Sequence, residues 1–220
     1  MQNGKVVQAV LFDLDGVLVD ACEWHYEALN AALAHLQLPV ISREAHLTTY
    51  NGLPTKKKLE LLGHSQDVIA AVNRLKQQYT IETIIKNGVV DKEKVRLHQA
   101  LKDLGVKIAC VTNSIRETAT LMLETTGQLE YMNLLVSNEE ISQSKPSPDG
   151  YNKAVEALGV DPSCCLIVED SPHGLQAAVS SNVGYVLKVR NPHDVTAEKL
   201  QSVVKNIASN TLTVQGKIIE

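Results

Sequence analysis

Asp13 and Asp15 hold the clearest chemical potential in the chain: they end the apolar run Val6 to Leu14 in the order Asp-Leu-Asp-Gly. If the run is a strand, alternation turns both carboxylates to one side and Leu14 to the other. Two carboxylates in one site disfavour joint ionisation unless something compensates, and a hard divalent cation with oxygen ligands does so. Gly16 allows the chain to turn sharply beside them. Taken alone, the same four residues also suit a polar strand end followed by turn formers.

Three further groups follow in the same kind of place. Val111-Thr112-Asn113-Ser114 ends an apolar run just before a helix, where a hydroxyl and free amides can hold phosphate oxygens; plain N-capping by Asn113 or Ser114 would look the same. Lys145 lies in Ser-Gln-Ser-Lys-Pro-Ser-Pro, a loop stiffened by two prolines, from which a held ammonium can neutralise a phosphate oxygen, although loop lysines are more often solvated. Glu169 and Asp170 close the run at Val168, and two acids at an apolar strand end are costly to bury without a cation, which makes them metal-ligand candidates.

The elements that must position these groups alternate. Apolar runs at Val6–Leu14, Val106–Thr112, Leu134–Ser137, Cys164–Val168 and Gly184–Val189 read as strands. Between them, Leu97/Ala100/Leu101/Leu104, Tyr151/Ala154/Val155/Leu158 and Leu200/Val203/Val204/Ile207 repeat at helical spacing. This predicts an α/β class with a mostly parallel, Rossmann-like sheet, whose ligands collect beyond the carboxyl ends of the strands. From Ala21 to Asn87 there are helical stripes and no convincing strand, such as Leu29/Leu33/Leu36 and Val68/Val72/Leu75/Tyr79, broken by Pro39, Gly52, Pro54 and Gly63. The predicted organisation is a core domain of residues 1–20 and 88–220 with an inserted helical cap domain of residues 21–87, placed to exclude water as a lid.

Composition narrows the partners. The 220 residues suffice for a self-standing core, and a net charge of −4 with scattered basic residues argues against nucleic acid. The most basic run, Lys56-Lys57-Lys58, reads as a solvated helix face. No export signal and no apolar stretch near about 18 residues is seen, so a cytoplasmic monomer with no membrane association is expected. Cys22, Cys110, Cys164 and Cys165 form no C-x-x-C pair and read as reduced, mostly buried thiols.

In order, D-x-D-G-x-L, T-N-S, K-P and E-D-S-x-x-G resemble the four signature motifs of the haloacid dehalogenase-like superfamily, in its phosphatase and β-phosphoglucomutase-like branch with a small helical cap. The likeness spans nearly the whole chain. It implies Asp13 as nucleophile and Asp15 as general acid/base. It implies Thr112 and Asn113 as phosphate-binding groups, and Lys145 as the lysine that stabilises the nucleophile and the transferring phosphoryl group. Magnesium would be held by Asp13, the Asp15 carbonyl and Asp170, with Glu169 binding directly or through water. Arg116, just inside the following helix, and His25, twelve residues beyond Asp13, are expected to contact substrate.

The implied reaction is hydrolysis of a small phosphorylated metabolite, such as a sugar phosphate, through an aspartyl-phosphate. Asp15 argues against the dehalogenase and phosphonate-cleaving branches, which have no alkoxide to protonate. The alternative is a sugar-phosphate mutase, whose cap needs cations for a second phosphate. Aligning the cap glycine of β-phosphoglucomutases with Gly52 puts Asn51 where that family has lysine and Thr55 where it has arginine, leaving Lys56, Lys57 or Lys58 to compensate.

Overall fold

A computed structural model describes residues 6–50, 53–211 and 216–219. The chain divides into two compact units, one of Met1–Asp20 with Val89–Glu220 and one of Ala21–Gly88.

The larger unit is built on six parallel strands: β1 (Ala9–Phe12), β2 (Lys107–Val111), β3 (Leu134–Val136), β4 (Cys165–Glu169), β5 (Tyr185–Lys188) and β6 (Ile218–Ile219). Their order in the sheet is β3-β2-β1-β4-β5-β6. Every residue of β1 and β4 is buried, as expected for central strands covered on both faces. The first five strands coincide with the predicted apolar runs. β6 was not anticipated, because two residues are too few for a readable pattern. The chain builds outward from β1 to β3, then restarts on the opposite side at β4, so the switch point lies between β1 and β4. Register sets Phe12 beside both Cys110 and Val168, which brings Asp13 level with Glu169 and one step from Thr112.

The smaller unit contains α1 (Cys22–His35), a single turn α2 (Arg43–Ala45) continuing into a π-helical turn at His46–Tyr50, α3 (Thr55–Leu61) and α4 (Gln66–Asn87). Leu29, Ala32 and Leu33 of α1 pack with Leu59, Ile69, Val72 and Ile41. Each leucine, isoleucine or valine among them contributes about 1.5–3 kcal/mol on burial. The Asn30 side chain pins the connection by exchanging two 2.9 Å hydrogen bonds with the backbone of Ile41. The lysine run is not uniformly solvated: Lys56 and Lys57 are exposed, but Lys58 is 6% exposed, because it follows the inward face that Leu59 occupies.

The remaining helices, α5 (Lys92–Asp103), α6 (Arg116–Thr125), α7 (Asp149–Leu158), α8 (Pro172–Ser180) and α9 (Ala197–Ser209), belong to the larger unit. Three of them carry the predicted stripes. Cys110, Cys164 and Cys165 are buried free thiols and Cys22 is partly exposed. No helix among the described residues is long and apolar enough to cross a membrane.

Candidate active site

Asp13 follows β1 directly, and its amide donates to the Val168 carbonyl at 3.1 Å; the Thr112 amide likewise donates to Val136 at 2.9 Å. Adjacent parallel strands thus deliver an acid, a hydroxyl and a second acid to one edge of the sheet. Lys145 comes to the same place from the loop before α7, after which the chain continues through a cis peptide to Pro146.

Lys145 is the hub. Its Nζ donates to Asp13 Oδ1 at 2.5 Å, Glu169 Oε1 at 2.6 Å and the Val111 carbonyl at 2.9 Å, using all three ammonium hydrogens. The Tyr151 ring lies 4.8 Å from the ammonium, and its hydroxyl donates to Glu169 Oε1 at 2.7 Å. Burial alone would push the lysine towards neutrality; the charges of Asp13 and Glu169 outweigh it and hold the ammonium charged, with its pKa raised. Glu169 is engaged further by the amides of Asp170 and Ser171 at 3.0 and 3.3 Å and by the Ser171 hydroxyl at 3.4 Å.

Asp15 accepts a 3.0 Å hydrogen bond from the Ser114 hydroxyl at Oδ2. Thr112 Oγ1 accepts from the Ser114 amide at 3.0 Å, which leaves the threonine's own O–H for another acceptor. Asn113, expected to meet substrate, clasps the backbone of Lys145: its Oδ1 accepts from the Lys145 amide at 3.0 Å and its Nδ2 donates to the Lys145 carbonyl at 3.5 Å. Its side chain therefore orients the lysine loop.

Arg116 is engaged by β3 and the turn after it. Its guanidinium donates to the Leu135 carbonyl at 2.8 Å and pairs with Glu140, whose carboxylate also caps the turn starting at Ser137. An arginine committed to a strand carbonyl and a neighbouring carboxylate ties α6 to the segment after β3. His25 belongs to the helical unit, on α1, where Nδ1 accepts from Lys76 Nζ at 3.1 Å.

Four carboxylates, Asp13, Asp15, Glu169 and Asp170, gather at this edge with a single lysine, which pairs with Asp13 and Glu169. Burial holds Asp13 well above the usual carboxylate range, with Lys145 pulling it down and Glu169, Asp170 and Asp15 pushing it up. Asp170 is raised to about 7, first by burial and then by the charge of Glu169. Its Oδ1 is buried with no hydrogen-bond partner. Oxygens of Asp13, Glu169 and Asp170 lie within 4.8 Å of one another. An all-oxygen donor set with surplus negative charge and an orphaned carboxylate oxygen fits a hard divalent cation.

Two glycines are required here. A Cβ on Gly16, which adopts φ +91°, would stand 2.2 Å from Asp170 Oδ2, and one on Gly174 would stand 1.9 Å from Glu169 Oε1. The acids can occupy their places only because these positions are bare. Tyr151 was legible in the sequence only as part of an apolar helix stripe; a tyrosine at a fully buried position, whose hydroxyl must find a partner, was the available signal.

The family model of haloacid dehalogenase-like hydrolases matches residues 10–188, a span that includes every strand-end group described above. Among curated relatives, a validoxylamine A 7'-phosphate phosphatase of Streptomyces hygroscopicus subsp. limoneus is 29% identical over 86% of this chain and 89% of its own. A plasmid phosphoglycolate phosphatase of Cupriavidus necator is 33% identical over 80% and 78% respectively. In fold, the chain resembles a β-phosphoglucomutase of Clostridium difficile with a TM-score of 0.78 at 20% identity, covering 91% of this chain and 98% of that one. With the match spanning most of its length and the four strand-end groups standing in order within it, the chain belongs to the haloacid dehalogenase-like hydrolase family.

Proposed function

We propose that the chain is a Mg²⁺-dependent phosphoric monoester hydrolase that removes phosphate from a small metabolite, such as a sugar phosphate, through an aspartyl-phosphate on Asp13. The observation that carries this reading is the Asp13 carboxylate, held at 2.5 Å by a buried charged lysine, with the second aspartate two residues further on. The phosphatase relatives support the reaction class.

In the first step Asp13 attacks phosphorus, and Asp15 in its protonated form donates to the departing alkoxide. In the second step Asp15 takes the proton of the attacking water. Ser114 orients Asp15, and Thr112 offers its hydroxyl to a phosphoryl oxygen. Lys145 steadies Asp13 and offsets charge on the transferring group. Asp13, the Asp15 carbonyl and Asp170 would hold Mg²⁺, which when bound offsets negative charge on the phosphoryl oxygens. Glu169 has five protein hydrogen bonds on its two oxygens, which favours a water-mediated role for it and makes it chiefly the partner of Lys145. The helical unit acts as the cap and supplies selectivity, His25 included.

Asp15→Asn tests the acid. Phosphorylation of Asp13 by alkyl phosphates is expected to slow by about 10²–10⁴-fold, and by aryl phosphates, whose leaving groups need little protonation, far less. Equal losses would remove Asp15 from the role.

A sugar-phosphate mutase is the second reading, favoured by the buried Lys58 as a compensating cap cation. Of the residues on which the opposing comparison rests, Asn51 and Gly52 lie outside the described residues and Thr55 begins α3. Following free phosphate and isomerised sugar phosphate together, with and without catalytic sugar bisphosphate, decides between them. Phosphate release unaffected by bisphosphate supports hydrolysis; isomer formation far in excess of phosphate supports the mutase.

A further inference from the structure

Next to the segment that carries the two aspartates lies a buried polar network that the proposed chemistry leaves unused. Gln128 and His98 are both 0% exposed. Gln128 Nε2 lies 3.2 Å from the Leu18 carbonyl and 2.9 Å from Thr126 Oγ1, and Gln128 Oε1 lies 2.8 Å from His98 Nε2. A carbonyl only accepts, so Leu18 fixes which end of the amide is nitrogen. Oε1 must then accept, and His98 carries its proton on Nε2. Thr126 agrees with this polarity, because its hydroxyl donates to the Met122 carbonyl at 2.6 Å and is left to accept from Gln128. Burial, ahead of other influences, lowers His98 to about 4, so the ring is neutral at physiological pH, and its Nδ1 has no hydrogen-bond partner. The ring is held edge-on to Phe12 at 5.7 Å and stacked with Tyr131 at 5.8 Å.

The residues this network reaches bracket the aspartates: Phe12 immediately precedes Asp13, and Leu18 follows Asp15 by three. Between them the chain makes a tight turn. The Leu18 and Val19 amides both donate to the Leu14 carbonyl at 2.9 Å, the Gly16 amide donates to Val19 at 2.8 Å, and Asp15 bridges Val19. Those bonds are internal to the turn, so they define its shape without setting its angle to the sheet. The bond from Gln128 to Leu18 comes from outside, from the segment just after α6, and constrains that angle.

We propose that Gln128, braced by His98, is a positioning residue that fixes the Leu14–Val19 turn and thereby aims the Asp15 carboxylate at the leaving-group oxygen. Gln128 touches neither substrate nor reacting atoms and acts through the Leu18 carbonyl. The inference rests on Asp15 being the acid/base, as proposed above. A displacement of about 1 Å at a reacting group is enough to cost on the order of a hundredfold in rate.

The test uses the full chain with Gln128→Met, which keeps the length and loses both donors, alongside wild type and Asp15→Asn. Two quantities are read: amide hydrogen exchange at Gly16, Leu18 and Val19, and the first-step rates with glycerol 2-phosphate and para-nitrophenyl phosphate. Exchange at the three turn amides is expected to rise while that in β1 and β4 holds. The glycerol phosphate rate is expected to fall by about ten- to a hundredfold, with para-nitrophenyl phosphate affected far less. Gln128→Leu likewise removes the donor to Leu18 without burying a charge, so it supplies the same test should the methionine variant fail to fold. Equal losses on both esters, or faster exchange spread through the sheet, would reduce Gln128 to a packing residue and overturn the inference. If Asp15→Asn itself fails to discriminate between the esters, the acid assignment falls, and the positioning role falls with it.

Discussion

The strand-end site of the larger unit and the interior of the helical unit gather opposite kinds of charge. In the larger one the carboxylates of Asp13, Asp15, Glu169 and Asp170 outnumber Lys145, and strand ends hold most of them in place. In the helical one the buried ionisable residues are Lys58, Lys76 and His46, and His46 is lowered to about 4 by burial and then by the positive charge of Lys58 and His25. An acid-rich sheet edge is suited to a cation and a phosphoryl group. The helical interior holds bases instead, and their mutual repulsion adds to burial in keeping His46 neutral. The contrast shows what a sheet edge supplies: parallel strands ending side by side hold a cluster of acids in fixed positions beside one lysine.

The sharpest way to break this comparison is Asp13→Asn. The amide nearly matches the carboxylate in shape but cannot attack phosphorus, so turnover is expected to fall by at least about 10⁴-fold with the fold intact by circular dichroism. Near-normal phosphate release, with deamidation excluded by mass spectrometry, would end the mechanism. Metal removal comes next: chelator is expected to abolish phosphate release and Mg²⁺ to restore it, whereas Ca²⁺, which prefers looser and higher coordination, restores it poorly. Full activity in chelator would contradict the cation assigned to the acid-rich edge.

A smaller effect sharpens the geometry. Gly174→Ala sets a methyl group against Glu169, whose oxygens are pinned by Lys145 and Tyr151, so the carboxylate must move. The expected cost is about 1–3 kcal/mol in urea unfolding, with reduced activity as Lys145 loses its partner. An unchanged unfolding midpoint would mean that the site is softer than the contacts imply.

An effect of similar size concerns pH and the larger unit alone. Folded His98 titrates near 4, against about 6.5 when unfolded. Between those values the unfolded chain binds more protons, so stability is lost as pH falls from about 6.5 towards 4 and is fully present above that window. The loss is of order 3 kcal/mol at most. Unfolding of wild type and His98→Asn at pH 7 and pH 4.5 measures it, and a variant with the same pH dependence as wild type would remove His98 as the cause.

The sequence by itself determined the class of fold and the acids. Alternating apolar runs and helical stripes identify strands and helices, and polar residues ending such runs can lie only at the carboxyl edge of a parallel sheet. That logic located Asp13, Asp15, Glu169 and Asp170 together and placed Thr112 beside them; Lys145, in a loop, was joined to them only by the resemblance to the family. Tertiary structure alone decided what each neighbour does. Asn113 and Arg116 sit where a substrate ligand is expected; one clasps the Lys145 backbone and the other pairs with Glu140. Lys58 belongs to a basic run but turns inward, and Tyr151 and Gln128 look like ordinary helix and loop residues until their partners, 18 and 110 positions away in the chain, are brought to them. Local spacing records which way a backbone runs and which face is apolar; it carries no record of which distant donor meets which acceptor, because that pairing exists only after the chain has closed on itself.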